Sequence, residues 1–192
     1  MELYFIRHGE TEFNREKRYT GHSDIPLNAT GVEQILALKK QLALKKITPD
    51  FIYTSDLERT VQTTALLGFD APVHRAKELR ELDYGKIEGM TYSEFKHRYP
   101  ECERKWYDSW STFPFPGGES YLVMCRRVTE FIDKHILTEK GETGFVVTHG
   151  GCLCAALSYY LTGDYIHFWR FRIGNGSFAR LSVTEDYIYL NI

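Results

Sequence analysis

The sequence has no long hydrophobic run, no excess of charge of one sign and no cysteine framework. No window approaches the length of a membrane-spanning helix, and the first residues lack the basic and apolar regions of a secretion signal. The net charge is only −2, whereas proteins that bind nucleic acid or a membrane surface normally carry a basic excess. These absences predict a cytoplasmic protein with neither nucleic acid nor a membrane as its partner.

The four cysteines, at positions 102, 125, 152 and 154, match neither a disulfide framework nor a zinc ribbon. Cys152 and Cys154 are too close in sequence for an ordinary disulfide. No two of the seven histidines have the spacing of a metal site on a helix. We therefore expect reduced, mostly buried thiols, no metal and no cofactor.

What is present is the composition of a globular domain, with 192 residues of which 43% are hydrophobic. This length predicts one domain, residues 1–192, with a sizeable core. Short apolar runs that predict strands alternate with helical patterns, which is typical of an α/β fold. We expect a three-layer α/β/α sandwich around a mostly parallel sheet. The tail segments 168–171, 177–183 and 187–190 predict edge strands, at least one of them antiparallel.

Three helix starts carry the pattern of a capping box, in which serine or threonine precedes glutamate by three positions. The pairs are Thr30 with Glu33, Ser55 with Glu58, and Thr91 with Glu94. The helix after Ser55 is expected to stop at Gly68. Its spacing predicts that it buries Leu57, Val61, Ala65 and Leu66.

Between about residues 84 and 118 the sheet pattern lapses, and the segment becomes acidic and aromatic. We expect it to form a small helical lid inserted over the edge of the sheet. It contains nine aromatic residues, namely Tyr84, Tyr92, Phe95, Tyr99, Trp106, Tyr107, Trp110, Phe113 and Phe115. Most of these rings are expected to form the lid's own core rather than to contact a ligand.

Two predicted strands run into a histidine that is followed by glycine, as Arg7-His8-Gly9 and as Thr148-His149-Gly150. Because the loops that leave the carboxyl ends of parallel strands form the ligand crevice, both histidines are expected in one site. Arg59, near the start of the helix after the strand at 51–53, faces the same edge. Two arginines, two imidazoles and the free amides at a helix start suit a phosphoryl group.

Six motifs occur in order along nearly the whole chain. They are Arg7-His8-Gly9-Glu10-Thr11 with Asn14, residues 21–31, residues 55–63, Glu81 four residues before Gly85, Gly118-Glu119-Ser120, and Thr148-His149-Gly150. Together they resemble the histidine phosphatase superfamily, in its phosphoglycerate mutase-like branch. The resemblance implies that the chain hydrolyses a phosphate monoester without metal, through a phosphohistidine intermediate.

The resemblance also implies a role for each matching residue. His8 would be the nucleophile. Arg7, Arg59 and His149 would hold the phosphoryl oxygens. Asn14 and the amide of Gly150 would assist them, and Thr20 and Gly21 match positions that touch the rest of the substrate.

Glu81 would protonate the leaving oxygen and then activate water. A partly enclosed carboxyl beside a phosphate dianion favours its neutral form, which suits the first of these tasks. Only the offset from Gly85 selects this residue, because Glu78, Asp83 and Glu88 lie nearby.

Three functions are compatible with these motifs: a phosphatase, a phosphoglycerate mutase, and a module that binds phosphate without turnover. The length favours a phosphatase, because mutases of this branch are usually longer, and a pure binder has no use for a nucleophile together with a proton donor. The segments 19–22 and 168–173 resemble those of α-ribazole phosphatases, although broad-specificity sugar-phosphate phosphatases share the catalytic motifs. The expected partner is a small phosphorylated metabolite, and the expected state is a monomer or homodimer.

Overall fold

The computed structural model describes residues 1–191. These residues form one sheet from the strands Glu2–Arg7 (β1), Phe51–Thr54 (β2), Val73–Arg75 (β3), Thr143–Thr148 (β4), Phe178–Val183 (β5) and Ile188–Asn191 (β6). Their order across the sheet is β3-β2-β4-β1-β5-β6. The first four strands are parallel, whereas β5 and β6 run antiparallel to their neighbours. The predicted mostly parallel sheet with an antiparallel edge is confirmed.

The α-helices of the described residues are Glu12–Arg15 (α1), Ala29–Leu44 (α2), Glu58–Leu67 (α3), Tyr92–Arg98 (α4), Pro100–Asp108 (α5), Tyr121–Phe131 (α6) and Gly150–Thr162 (α7). A π-helical turn, Ile132–Ile136, extends α6. Side chains alternate along a strand, so Tyr4 and Ile6 of β1 pack with α2 and α3, while Leu3 and Phe5 pack with α6 and α7. Helices therefore cover both faces of the sheet, as a three-layer sandwich requires.

The sheet brings the two histidine-glycine segments together. Strands β1 and β4 are neighbours, with Arg7 opposite Thr148. His8 and His149, which follow these two residues, therefore leave the sheet side by side at one edge. Strand β2 borders β4 on its other side, so the helix that carries Arg59 starts at the same edge.

The capping box predicted at Thr30 is wrong, and the one at Thr91 and Glu94 is confirmed. Helix α2 is capped by Asn28, whose side chain accepts a hydrogen bond from the backbone N of Gly31 at 2.8 Å. Asparagine is at least as good an N-cap as threonine. The helix therefore starts before the residue that the pattern selects.

The capping box predicted at Ser55 is also wrong, because α3 begins only at Glu58. Its N-cap residue, Leu57, offers no side-chain acceptor. Instead, the backbone N of Glu58 donates to Oδ1 of Asp24 at 2.7 Å. This bond ties the polar loop after β1 to the edge of the sheet. The predicted stop at Gly68 is confirmed, with φ at +61°.

Of the residues predicted on the buried face of this helix, Leu57 is buried, but Val61 and Leu66 are only partly buried and Ala65 is exposed. The helix instead buries Arg59, Thr60, Thr63, Thr64 and Leu67. The hydroxyls of Thr63 and Thr64 donate to helix carbonyls four residues back. Their polar atoms are thus satisfied and their methyl groups can pack. A pattern of hydrophobic residues does not predict this buried face, because four of its five residues are polar or charged, Arg59 among them.

Residues 84–118 contain α4, α5 and a 3₁₀ turn at Gly85–Ile87. Phe95 and Phe115 are 0% and 2% exposed. Both pack with Tyr19 of the loop after β1, with ring centroids 5.8 and 6.4 Å away. These two rings are therefore part of a core, as expected, but this core is continuous with the one under the sheet, which contains Leu3 and Phe5, and is not confined to the segment.

The strand predicted at 168–171 is wrong, whereas the other two tail strands are confirmed as β5 and β6. Residues Phe168–Arg170 form a 3₁₀ turn. Phe168 packs against Tyr121 and is 2% exposed, while Trp169 beside it is 51% exposed. The alternation that predicts a strand here arises from a turn that buries one ring and exposes the next.

Candidate active site

His8 follows the last residue of β1 and is 3% exposed. Its Nδ1 lies 2.7 Å from the carbonyl oxygen of Gly9. A carbonyl only accepts, so Nδ1 carries the proton and the lone pair is left on Nε2. Burial, followed by the charges of Arg59 and Arg7, holds the pKa of His8 well below its ordinary value. His8 is therefore a neutral imidazole with a fixed tautomer.

His149 lies opposite His8, with ring centroids 5.2 Å apart. Nε of Arg59 donates to Nδ1 of His149 at 3.2 Å. A guanidinium only donates, so the proton of this imidazole is on Nε2. That Nε2 is buried without a hydrogen-bond partner. Burial and the charge of Arg59 also hold the pKa of His149 well below its ordinary value.

Arg59 is fully buried and is held by the loop after β1. Its Nη2 donates to the carbonyl oxygen of Gly21 at 2.6 Å, and its Nη1 donates to that of Ser23 at 2.9 Å. Gly21 was expected to touch substrate. The structure places it behind Arg59, outside the lining of the cavity that holds His8, so its contact with the site runs through the guanidinium.

Arg7 is anchored by Nη1, which donates to the carbonyl oxygen of Ile173 at 2.7 Å. Its Nε is buried and has no partner. Gly150 opens α7 beside this guanidinium, and a Cβ there would lie 3.2 Å from Nε of Arg7. A buried donor without a partner is costly unless something accepts from it.

Glu81 is positioned by two backbone amides. Its Oε2 accepts from the N of Gly151 at 2.9 Å, and its Oε1 accepts from the N of Leu82 at 3.0 Å. Of the nearby acids Glu78, Asp83, Glu88 and Glu81, only Glu81 lines the cavity that holds His8. The geometry thus favours the residue that the offset from Gly85 selects.

A cavity of about 370 Å³ opens at His8. It is lined by Arg7, His8, Asn14, Lys17, Arg18, Tyr19, Thr20, Glu81, Tyr84 and Asn175. Thr20 and Asn14, both expected at the site, belong to this lining. Oδ1 of Asn14 accepts from the backbone N of Thr11 at 3.1 Å.

Asn175 lines the cavity that holds His8, although no motif in the sequence selects it. Its Nδ2 donates to the carbonyl oxygen of His8 at 3.2 Å and to Oδ1 of Asn14 at 3.1 Å. It thereby joins the end of β1 to the loop that follows. The available signal was its position between two glycines, Gly174 and Gly176, at the entry to an edge strand.

A second cavity, of about 520 Å³, adjoins the first and shares Arg7, Glu81 and Tyr84 with it. Its other lining residues are Tyr121, Gly150, Gly151, Cys154, Phe168, Trp169, Phe171, Arg172, Ile173 and Gly174. The ring of Trp169 packs against Phe168 and Tyr121 at centroid distances of 4.9 and 5.2 Å. The second cavity thus has an aromatic wall next to the cavity that holds His8.

Within residues 1–191, no three histidine, cysteine, aspartate or glutamate side chains are grouped so that they could hold a metal ion. No helix in this described part of the chain is long and apolar enough to cross a membrane.

These features define a class of protein. A neutral histidine with a free Nε2 faces a second histidine and two arginines at the carboxyl edge of a parallel sheet. The sequence model of the histidine phosphatase superfamily (branch 1) matches residues 3–191. The chain therefore belongs to that superfamily and is a phosphoric monoester hydrolase.

Individual relatives cover nearly the full length. The chain is 29% identical over 194 residues to an adenosylcobalamin/alpha-ribazole phosphatase of Salmonella typhimurium, with 100% of this chain and 95% of the relative covered. It is 31% identical to phosphoserine phosphatase 1 of Hydrogenobacter thermophilus, with 96% and 88% covered. The crystal structure of the alpha-ribazole phosphatase from Shigella flexneri is similar, with a TM-score of 0.93, 28% identity, and 100% and 95% covered.

Proposed function

We propose that the chain is a metal-independent phosphomonoesterase in which Nε2 of His8 takes the phosphoryl group from a small phosphorylated metabolite. One observation carries this proposal. Nε of Arg7 and Nε2 of His149 are buried donors without partners, and both belong to residues that surround His8. A phosphoryl group has the negative oxygens that would satisfy both donors.

In the first step, Nε2 of His8 attacks phosphorus and the ester P–O bond breaks. The leaving oxygen takes a proton from the carboxyl group of Glu81. A neutral imidazole needs no general base before it attacks, which is the advantage of the low pKa of His8. Arg7, Arg59 and His149 balance the charge of the transferring oxygens, and such electrostatic stabilisation dominates phosphoryl transfer.

In the second step, water attacks the phosphohistidine and the P–N bond breaks. Glu81, now ionised, accepts the proton of that water. Inorganic phosphate leaves, and His8 returns to its neutral form. Glu81 belongs to both cavities, which supports its acting first on the leaving group and then on water.

For the substrate we propose a phosphate ester whose alcohol carries a flat aromatic base, with α-ribazole 5′-phosphate as the first candidate. The relatives include both α-ribazole and phosphoserine phosphatases. The aromatic wall of the second cavity favours the former, because stacked or edge-on rings contribute about 0.5–1.5 kcal/mol each. In this proposal residues 84–118 act as a lid, with Tyr84 at the junction of the two cavities.

We propose that the enzyme works in the cytoplasm. Cys102, Cys125, Cys152 and Cys154 are all free thiols, which fits a reducing compartment. Burial raises the pKa of Cys154 to about 12, so this thiol, although it lines the second cavity, is a poor rival to His8 as nucleophile.

The test is phosphate release in EDTA from α-ribazole 5′-phosphate, sugar phosphates, phosphoserine and 3-phosphoglycerate, with wild type and His8→Ala. We expect turnover by the wild type alone. Phosphate release by His8→Ala at the wild-type rate would contradict the mechanism. Transfer between phosphoglycerates that is faster than hydrolysis would favour the mutase.

The same panel tests the substrate class through Trp169→Ala. We expect kcat/KM for α-ribazole 5′-phosphate to fall by about three- to tenfold, which corresponds to one aromatic contact, while kcat/KM for phosphoserine stays unchanged. An equal fall for both substrates would contradict the proposal that the aromatic wall of the second cavity binds the base of the substrate. Higher kcat/KM for phosphoserine than for any aromatic ester would contradict the choice of substrate.

A further inference from the structure

We propose that Glu88 is a positioning residue, which holds Arg59 in its catalytic geometry through the backbone of residues 21–23. Its carboxylate accepts from the backbone N of Gly21 at 3.1 Å, of His22 at 2.9 Å and of Ser23 at 3.1 Å. It also accepts from the N of Tyr84 at 3.2 Å. Four amides therefore converge on one side chain, which does not line the cavity that holds His8.

The opposite side of the same backbone faces Arg59. The carbonyl oxygens of Gly21 and Ser23 accept from its guanidinium at 2.6 and 2.9 Å. The peptide group that joins Gly21 to His22 thus lies between the two charges, because its N–H donates to Glu88 and its carbonyl accepts from Arg59. Charge-assisted bonds at both ends polarise this peptide in the same sense and reinforce one another.

The close approach of the loop depends on glycine at position 21. A Cβ there would lie 1.8 Å from the carbonyl oxygen of Leu82 and 2.4 Å from Oε1 of Glu88. Any other side chain would push the loop away from Glu88, and the carbonyls that hold Arg59 would move with it. This explains why Gly21 matters at the site although it does not line the cavity.

The effect continues beyond Arg59, because its Nε fixes the proton of His149. If the carbonyls at 21 and 23 shift, the guanidinium loses two acceptors, and its bond to Nδ1 of His149 is no longer directed. Glu88 therefore acts on the site through Arg59, and this inference rests on the role proposed above for that arginine.

The experiment is a double-mutant cycle between Glu88→Gln and Arg59→Ala, with p-nitrophenyl phosphate as substrate. Glutamine keeps the size of the side chain but offers one acceptor oxygen and turns an NH₂ group towards the amides. We expect Glu88→Gln to lower kcat/KM by about tenfold or more in the wild type. In the Arg59→Ala background the same change should cost less than twofold, because the group it positions is gone.

Asp50→Asn is the matched control. Asp50 also binds two backbone amides, those of Glu142 and Thr143 at 2.8 and 2.9 Å. These residues lie at the start of β4, at the opposite end of that strand from His149. We expect it to lower the melting temperature and leave kcat/KM unchanged. Glu88→Asp keeps both acceptor oxygens, so its kcat/KM should lie between those of the wild type and Glu88→Gln. It takes the place of Glu88→Gln in the cycle if that variant does not fold.

An equal cost of Glu88→Gln with and without Arg59 would overturn the proposal, as would a loss of kcat/KM no larger than that of Asp50→Asn. The proposed function itself would be overturned by a different result, namely that Arg59→Ala and His8→Ala both keep wild-type activity.

Discussion

Arg59 donates from Nε to Nδ1 of His149 at 3.2 Å, and this bond decides where the proton of that imidazole sits. A guanidinium has no acceptor, so Nδ1 must be unprotonated and Nε2 must carry the hydrogen. His8 has the opposite tautomer, because its Nδ1 donates to the carbonyl oxygen of Gly9. The site therefore pairs one imidazole that can attack phosphorus with one that can donate to its oxygens.

Replacing Arg59 by lysine should lower kcat about 10²–10³-fold, the usual cost of losing one donor to a transition-state oxygen. A single ammonium cannot reach His149 and both loop carbonyls as the planar guanidinium does. The measurement is kcat with p-nitrophenyl phosphate at saturation. Arg80→Lys is the control, because Arg80 forms a two-bond ion pair with Asp56 outside the cavity. A loss of equal size in both variants would show that the effect is not specific to Arg59, and it would contradict the role of its guanidinium geometry.

The free energy of unfolding should depend on pH through the two buried histidines. Both have a pKa well below 6.5 in the folded protein, so below pH 6.5 the unfolded chain binds protons that the folded chain does not. Their contribution is present above pH 6.5 and is lost as the pH falls, by up to about 1.4 kcal/mol per pH unit for each histidine. Urea unfolding between pH 5 and 8 in phosphate-free buffer measures this slope.

His8→Asn should remove the part of that slope that belongs to one histidine. His97→Asn, which replaces an exposed imidazole on α4, serves as the comparison, and the measured quantity is the difference in slope between the two variants. A slope that is the same in wild type and His8→Asn would mean that folding does not lower the pKa of His8, and it would contradict the neutral nucleophile.

Gly151→Ala should impair Glu81 selectively. A Cβ at position 151 would lie 2.3 Å from Oε1 of Glu81, so the carboxyl group must move. General acid catalysis contributes about 10²–10⁴-fold, and kcat/KM for a sugar phosphate should fall by about 10²-fold. p-Nitrophenyl phosphate, whose leaving group needs no proton, should lose much less. An equal loss for both esters would argue against Glu81 as the proton donor.

Phe95→Ala should destabilise the fold by about 3–5 kcal/mol, the usual cost of removing a buried aromatic ring. Phe95 is fully buried in the core that residues 84–118 share with the sheet. Tyr107→Ala in the neighbouring helix, where the ring is 70% exposed, should cost under about 0.5 kcal/mol. Chemical denaturation of the two variants measures the difference, and similar costs would contradict a packed core in this segment.

Apart from the strand at 168–171, the predicted strands and the two histidines at strand ends are found in the structure, because hydrophobic periodicity and strand-terminal glycines are local signals. The sequence does not predict the polar face of α3 or the cap that Asp24 supplies to Glu58. The first depends on threonine hydroxyls that bond inside the helix, and the second is a contact 34 residues away in sequence. Neither leaves a periodic pattern.

In the site, too, local signals predict some residues and not others. The shared location of Arg7, His8 and His149 follows directly from the ends of the neighbouring strands β1 and β4. The role of Gly21 behind Arg59 and the position of Asn175 under His8 depend on how distant loops fold back on the sheet edge. Such contacts are decided by tertiary packing, so sequence spacing does not reveal them.

The most direct test of the account is to locate the phosphoryl group on the trapped enzyme. Glu81→Gln should form the intermediate from p-nitrophenyl phosphate but hydrolyse it slowly, since it lacks the base for the second step. After an alkaline quench, peptide mass spectrometry should find one phosphoryl group, on His8. A phosphoryl group on His149 or Cys154, or none during full turnover, would contradict His8 as the nucleophile.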